Sequence, residues 1–290
     1  MLIEIDRLQL ATPDPAAAIE RWQAIVDAEV ADKGRIRALQ AITTTLRVGR
    51  SEVEILAADG SGLVADAIAR RGAHMFSAGA STQDVRAVQA QLSPISERPI
   101  LEDGRLYVDG ADIGIPGLRL VVSPHAQRES VGLIDYLYEA TVLAADADGL
   151  TARFAEVFAL DARDFAQIES PRFGYEGKLT LFRSEELHRF EVITPLDPDK
   201  TMGRFFNKIG ACLYMSFAET SALMVIEERV ASAGLGQTID RPEDRTATQP
   251  ADQIWLHPAT LGGVMLGLSR PTMAWSWSGK PDRVEAVPTA

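Results

Sequence analysis

The sequence has a single cysteine, Cys212, among its 290 residues. One cysteine excludes an intramolecular disulfide and a multi-cysteine zinc site, and it is typical of a reducing compartment. Long apolar runs are missing too, since no stretch approaches the roughly 20 apolar residues that a membrane-spanning helix needs. Residues 1–6 have neither a basic segment nor a cleavable apolar core, so they do not resemble a secretion signal. We therefore expect a cytoplasmic protein without a membrane segment.

Basic residues are also scarce. The chain has 29 Lys and Arg against 41 Asp and Glu, which gives a net charge of −12. This charge disfavours binding to nucleic acid or to an anionic membrane, because both need a basic surface. The sequence also lacks a Gly-x-Gly-x-x-Gly motif, a phosphate-binding loop and a Gly-x-Ser-x-Gly motif. The expected partner is therefore a small molecule.

What the sequence does contain is an internal repeat. Residues 5–14 (IDRLQLATPD) precede a helical pattern over residues 15–30, and residues 138–146 (YEATVLAAD) precede a second one over residues 149–158. Each copy reads as a strand, a short turn that ends in aspartate, and an amphipathic helix. A repeat of this length fixes the architecture before any single residue is interpreted.

The chain divides into two halves of similar plan. The polar, proline-containing segment 124–132 predicts a linker between a domain of residues 1–123 and a domain of residues 133–270. The tail, residues 271–290, carries Trp275 and Trp277, which we expect to pack onto the body. Strand patterns in the first half occupy residues 2–12, 37–44, 45–48, 52–57, 75–82, 105–108 and 118–122.

These motifs resemble the vicinal oxygen chelate superfamily, which includes glyoxalase I, bleomycin-resistance proteins, methylmalonyl-CoA epimerase and extradiol dioxygenases. The repeated opening unit carries the resemblance, together with residues 53–56 (VEIL), 190–195 (FEVITP) and 256–266 (LHPATLGGVML). The resemblance implies an α+β fold of four βαβββ modules that form two cupped mixed sheets, as in glyoxalase. Whether modules pair within or across the halves stays open, and so does the formation of a homodimer.

Metal-dependent members of this superfamily bind a divalent ion through His or Gln, Glu, His and Glu at four strand positions. The resemblance places at these positions Arg7, Glu54, Ser77 and Val121 in the first half, and Glu139, Glu191, Tyr214 and Gly267 in the second. Arginine stays protonated, and valine and glycine have no ligating side chain. We therefore expect no metal and no other cofactor. A hard divalent metal at Glu139 and Glu191 is the alternative left open.

Glu139, Glu191 and Tyr214 are the candidate catalytic residues. Two carboxylates in one cup repel each other, so the pKa of one rises and it becomes suited to take a proton from carbon next to a carbonyl. Tyr214 would donate a hydrogen bond to the enolate oxygen that develops. The alternative is that Glu191 pairs with Arg189 or Arg183, and that Tyr214 is a core residue.

Arg7, Gln9, Glu54, Ser77 and His257 are the candidate substrate-binding residues. Arg7 and Gln9 share a strand face and could together bind a carboxylate or carbonyl of a substrate. The favoured alternative is an Arg7–Glu54 ion pair that closes the first cup. For His257, the following proline is more typical of a structural position than of a ligand.

The sequence thus favours an enzyme of small-molecule metabolism. We expect a metal-independent or weakly metal-dependent isomerase, epimerase or lyase that acts on a carbonyl compound or an aromatic-derived substrate. A second hypothesis is a ligand-sequestering protein, similar to bleomycin-resistance proteins. A third is an extradiol-type dioxygenase, which the missing histidines disfavour.

Overall fold

The computed structural model describes residues 2–287 and contains two eight-stranded mixed sheets. The strands of the first are β1 (Leu2–Ala11), β2 (Glu29–Ile36), β3 (Ala41–Val48), β4 (Ser51–Ala58), β5 (His74–Thr82), β6 (Ile100–Glu102), β7 (Arg105–Asp109) and β8 (Arg119–Pro124). Those of the second are β9 (Tyr136–Leu143), β10 (Ala166–Ser170), β11 (Tyr175–Leu181), β12 (Arg189–Pro195), β13 (Cys212–Glu219), β14 (Gln237–Asp240), β15 (Gln253–Leu256) and β16 (Met265–Ser269). The spatial orders, β2-β3-β4-β1-β5-β8-β7-β6 and β10-β11-β12-β9-β13-β16-β15-β14, are the same topology used twice.

Within the described residues, six α-helices connect the strands: α1 (Pro15–Val26), α2 (Leu63–Arg71), α3 (Val85–Leu92), α4 (Ala147–Phe158), α5 (Thr201–Ile209) and α6 (Leu223–Ser232). The aspartate of each repeated turn is a helix N-cap. Asp14 accepts a hydrogen bond from the backbone N–H of Ala17, and Asp146 accepts one from that of Gly149. These contacts satisfy backbone donors at the first turn, so the repeat motif encodes where α1 and α4 begin.

The modules pair within each half. Strand β1 runs parallel to β4 and antiparallel to β5, and β9 runs parallel to β12 and antiparallel to β13. This pairing settles the alternative that the sequence left open. The predicted α+β class with two cupped mixed sheets is confirmed.

One large core joins the two halves. Helices α1, α3, α4 and α6 pack with the apolar face of both sheets, while the opposite, concave face of each sheet has a separate apolar cluster. Hydrogen bonds cross between the halves, from Trp22 Nε1 to the carbonyl of Leu261 (3.0 Å) and from Gln91 Nε2 to that of Val157 (2.7 Å). The concave faces therefore turn away from the shared core.

Several predicted boundaries were wrong. The first helix ends at Val26 rather than at residue 30, because Asp27 adopts a left-handed conformation (φ 55°) that stops the helix. Residues 29–36 form β2 instead. Seven of its eight residues are exposed, so it lacks the apolar alternation from which strands are recognised.

The tail packs onto the body at Trp275, which is buried. The guanidinium of Arg283 lies 3.9 Å from the centroid of its ring, and Lys280 donates to the carbonyl of Ser184. The last three residues of the predicted tail, 288–290, lie outside the described residues. Within residues 2–287, none of the helices is both long and apolar enough to cross a membrane.

Candidate active site

The concave face of the second sheet carries two glutamates at its centre. Strands β9 and β12 place Glu139 opposite Arg189 and Thr141 opposite Glu191. Side chains alternate between the two faces of a strand, so these four residues, spaced by two on each strand, point to one face. All four are buried. The structure therefore brings together two of the three predicted catalytic residues.

Arg189 is the partner of Glu139. Its Nε donates to Oε2 of Glu139 at 2.6 Å, and the two side chains are 0% and 1% exposed. Its Nη1 donates to the carbonyl of Leu187 at 3.1 Å, and the guanidinium carbon lies 4.9 Å from the ring centroid of Tyr138. These contacts fix the guanidinium against Glu139.

Glu191 has a neutral partner. The hydroxyl of Thr141 donates to Oε2 of Glu191 at 2.5 Å. Arg183, which the sequence offered as a partner, instead donates to Glu186 at 3.0 Å. The alternative in which Glu191 forms an ion pair with Arg189 or Arg183 is therefore wrong, since both arginines bind other glutamates.

The two glutamates, which we call the carboxyl pair, are one positive charge short of balance. Burial raises the pKa of Glu139, and the charge of Arg189 opposes that rise. Burial raises the pKa of Glu191 well above its usual range, and the charge of Glu139 adds to the rise. Within residues 2–287, Oε1 of Glu139 is buried and has no hydrogen-bond partner. A proton on Glu191 would give this oxygen a donor, and the interaction between the two carboxyls contributes to the pKa shifts of both.

The phenol that faces the carboxyl pair belongs to Tyr175, not to Tyr214. Burial raises the pKa of Tyr175, and the charges of Glu191 and Glu139 raise it further. Tyr214 packs with its ring centroid 5.2 Å from that of Phe205. Its pKa is raised by burial and by the neighbouring Cys212. The structure therefore does not bring the third predicted catalytic residue to the other two.

A register shift in β13 explains the position of Tyr214. The shift lies between Leu213 and Met215, so Met215 pairs with Thr141 and Phe217 pairs with Glu139. Phe217 is also paired with Gly267 of β16, and a Cβ atom added to Gly267 would lie 2.2 Å from Cε1 of the Phe217 ring. The aromatic ring therefore occupies the space beside the carboxyl pair where a side chain of β16 would otherwise stand.

The concave face of the first sheet holds a closed ionic network instead. Arg7, which is 1% exposed, donates to Glu54 (2.8 Å) and Asp6 (2.9 Å) and lies 2.9 Å from Glu52. Glu54 also accepts from Gln9 (2.7 Å). Although burial opposes it, the charge of Arg7 lowers the pKa of both Asp6 and Glu54. The geometry matches the predicted Arg7–Glu54 ion pair, which leaves Arg7 and Gln9 engaged with protein groups.

The other two candidate substrate-binding residues lie apart from the carboxyl pair. Ser77 is buried on β5, opposite Gln9 of β1. His257 precedes a short 3-10 turn, and its Nε2 is 2.9 Å from the hydroxyl of Thr238. Its backbone N–H donates to the carbonyl of Gly236, which is consistent with a structural position.

Comparison with known proteins finds the same fold in solved structures. Neither family models nor curated protein sequences match the chain. A mutant of 4-hydroxymandelate synthase from Streptomyces coelicolor superposes with a TM-score of 0.68 at 12% identity, over 97% of this chain and 99% of that one. A xylose isomerase-like TIM barrel/4-hydroxyphenylpyruvate dioxygenase fusion protein superposes with a TM-score of 0.61 at 10% identity, over 93% of this chain and 49% of that one.

The chain shares the fold of these two proteins, which is the fold that the resemblance to the vicinal oxygen chelate superfamily predicted. The resemblance predicted from the repeated motifs is thus confirmed as a likeness of fold. At these identities the superposition carries no residue's role across to this chain.

The metal centre that the vicinal oxygen chelate fold implies does not fit the residues present. The four positions in the second half hold two carboxylates, an aromatic ring and a glycine, and Arg189 already occupies one oxygen of Glu139. A fixed guanidinium repels a cation from that carboxylate. Within the described residues, no three His, Cys, Asp or Glu side chains are placed to share an ion.

Sequence reasoning did not assign a site role to Arg189, Thr141, Tyr175 or Phe217. For Arg189 and Thr141 a signal existed, because each is two residues from a candidate glutamate on the same strand. Tyr175 could not be found in this way, since it comes from β11, beyond β12. Phe217 was hidden by the irregularity of β13.

Proposed function

We propose that the protein is a metal-independent isomerase, epimerase or lyase whose carboxyl pair moves a proton next to a carbonyl group. The observation that carries the proposal is the charge imbalance on the concave face of the second sheet. Two buried carboxyls share one buried guanidinium, and this raises the pKa of Glu191 well above its usual range. Groups with such shifted pKa values are suited to acid–base catalysis near neutral pH.

The proton balance is as follows. At neutral pH the carboxyl pair holds one proton, and Arg189 balances its single negative charge. A substrate C–H bond next to a carbonyl breaks, its proton goes to the pair, and its electrons form an enolate. The pair then holds two protons, so the positive charge of Arg189 balances the enolate. Return of a proton to carbon, on the same or another atom or face, completes an isomerisation or epimerisation. Loss of a leaving group completes a lyase reaction.

Glu191 and Tyr175 have distinct parts in this proposal. Glu191 is the more exposed member of the pair, at 6% against 1% for Glu139, so it is the group that meets the substrate. It takes the substrate proton as the proton that it already holds passes to Glu139. Tyr175 keeps its proton at neutral pH because its pKa is raised, and it can donate a hydrogen bond to the enolate oxygen. Tyr214 has no part, since it packs against Phe205.

Two measurements test the proposal. Infrared difference spectroscopy at pH 7 should show the C=O stretch of a protonated carboxyl, lost in Glu191→Gln and kept in Glu156→Gln, which changes an exposed carboxylate. Proton NMR in D₂O, with phenylpyruvate, acetoacetate and propionyl-CoA as probes, should show exchange at carbon that both Glu139→Gln and Glu191→Gln abolish.

The outcomes separate the alternatives. Absence of the protonated carboxyl signal overturns the proposed chemistry. Saturable binding of a probe without any exchange at carbon favours the ligand-sequestering alternative. A dioxygenase activity that requires added iron would contradict the metal-independent assignment.

A further inference from the structure

A cleft of about 380 Å³ lies between the two halves, on the side where α2 and α5 end. Its charged lining residues, apart from His74, are Arg70, Arg71, Asp109, Arg119 and Lys208. Four of these five carry a positive charge, although the chain as a whole has a net charge of −12. We call this site the basic cleft. We propose that the basic cleft binds a small phosphorylated molecule.

Among residues 2–287, three of the four cations have no acidic partner. Asp109 is paired with Arg119 at 3.1 Å. Arg70 donates to a backbone carbonyl, and Arg71 donates to the thiol of Cys212. In the described part of the chain no carboxylate forms an ion pair with Arg70, Arg71 or Lys208. A bound anion would supply the charge that the protein does not.

The pKa of His74 reflects the positive charge of the basic cleft. Burial is the main cause that lowers the pKa of His74 to about 4, and the charges of Arg71, Arg119 and Arg70 lower it further. Its Nδ1 lies 2.8 Å from the carbonyl of Gly72, so the proton of the neutral ring is on Nδ1. Above pH 5 this ring is therefore neutral, and the positive charge of the basic cleft comes from arginine and lysine.

The arrangement suits a phosphoryl group. An arginine guanidinium donates two parallel hydrogen bonds to phosphate oxygens, and a lysine adds a compact charge. Four cations against one carboxylate favour a ligand with two or more negative charges. The volume is at the lower end of the range for small-molecule sites, and the net charge of −12 on the whole chain disfavours a nucleic acid.

The ligand would contact both halves of the chain. Arg71 and Arg119 belong to the first half, whereas Lys208 and Cys212 belong to the second. Binding between the halves therefore stabilises their arrangement as well as the local structure, and it should raise the temperature of unfolding.

Isothermal titration calorimetry with pyrophosphate, in buffer of about 150 mM salt to screen non-specific attraction, tests the proposal. We expect saturable binding at one site, weakened at least tenfold in Lys208→Gln and in Arg71→Gln. The matched controls are Lys33→Gln and Arg86→Gln, which remove one exposed charge each from β2 and α3 and should leave the affinity unchanged.

Arg71→Gln also removes the contact with Cys212, so Lys208→Gln, which changes an exposed side chain, is the decisive variant. Circular dichroism confirms that each variant folds. Absence of saturation by pyrophosphate, or an equal loss of affinity in the control variants, would overturn the proposal. The test needs no turnover, so its result is independent of the function proposed for the carboxyl pair.

Discussion

At one pair of facing positions on neighbouring strands, the positive and the negative residue trade places between the two halves. In the first half Arg7 of β1 lies opposite Glu52 of β4, and in the second half Glu139 of β9 lies opposite Arg189 of β12. Strands β1 and β9 have equivalent places in their sheets, as do β4 and β12. The same backbone therefore supports a buried ion pair in either orientation.

The difference lies in what surrounds the pair. In the first half, three carboxylates, on Asp6, Glu52 and Glu54, meet three guanidinium groups, on Arg7, Arg105 and Arg128. In the second half, two carboxyls meet one guanidinium. The pKa values accordingly move in opposite directions, down for Glu54 and up for Glu191. A balanced network is suited to structure, and an unbalanced one is suited to the proton transfer that we propose.

The largest expected effect comes from breaking the balanced network. Arg7→Met should lower the free energy of unfolding by about 3–5 kcal/mol at pH 7, because it leaves buried carboxylates without their cation. Urea denaturation measures the change. Arg86→Met, on the exposed face of α3, is the control and should change stability by less than about 0.5 kcal/mol. A loss below about 1 kcal/mol for Arg7→Met would mean that the first half does not depend on this charge.

A matched substitution in each half compares the two directly. Glu54→Gln should cost about 2–3 kcal/mol at pH 7, since it weakens charged hydrogen bonds from Arg7 and Arg105. Glu191→Gln should change stability by less than about 1 kcal/mol or increase it, because the amide resembles the protonated carboxyl already present. Equal losses in the two variants would contradict the difference in ionisation.

The same two variants should diverge with pH. The pKa of Glu54 is lowered in the folded chain, so its stabilisation is present above the usual glutamate pKa and lost as the pH falls below it. The pKa of Glu191 is raised, so its stabilisation is present below the usual pKa of 4.5 and lost as the pH rises. From pH 5 to pH 8 the stability of the parent chain relative to Glu191→Gln should fall, at up to about 1.4 kcal/mol per pH unit.

The smallest effects concern the openings of the two cups. In the first, Glu102 accepts from the backbone N–H groups of Arg37 (2.8 Å) and Ala38 (2.7 Å). In the second, Arg172 and Asp240 are 4.0 Å apart and largely exposed. Glu102→Ala should cost about 1 kcal/mol and Asp240→Ala less than about 0.5 kcal/mol. Hydrogen exchange should show lost protection at Arg37 and Ala38 in the first variant alone.

Sequence reasoning found the fold because the fold is repeated. The turn aspartates Asp14 and Asp84 recur in the first half, and Asp146 caps the corresponding helix of the second. Sequence reasoning did not predict the edge strands, for a physical reason. β2 lies at the edge of its sheet and seven of its eight residues are exposed, so they need no apolar alternation.

The carboxyl pair was predictable in part. Alternation along β9 and β12 places Glu139 and Glu191 on one face, which the sequence shows. The choice of partner was not predictable, because Arg189 is nearer to Glu191 along the chain but faces Glu139 across the sheet. The position of Tyr214 was not predictable, because it depends on a shift of register in β13 that no residue pattern indicates.

The ring of Phe217 over Gly267 also constrains how this chain could change over time. A side chain at position 267 would start 2.2 Å from an aromatic carbon, so no ligating residue fits there while Phe217 remains. Replacing Phe217 first would open a cavity in the apolar cluster before any new function is gained. A route by single substitutions to a metal-binding centre therefore begins with a loss of stability. The order of mutations, as much as their identity, therefore decides whether this chain could acquire such a centre.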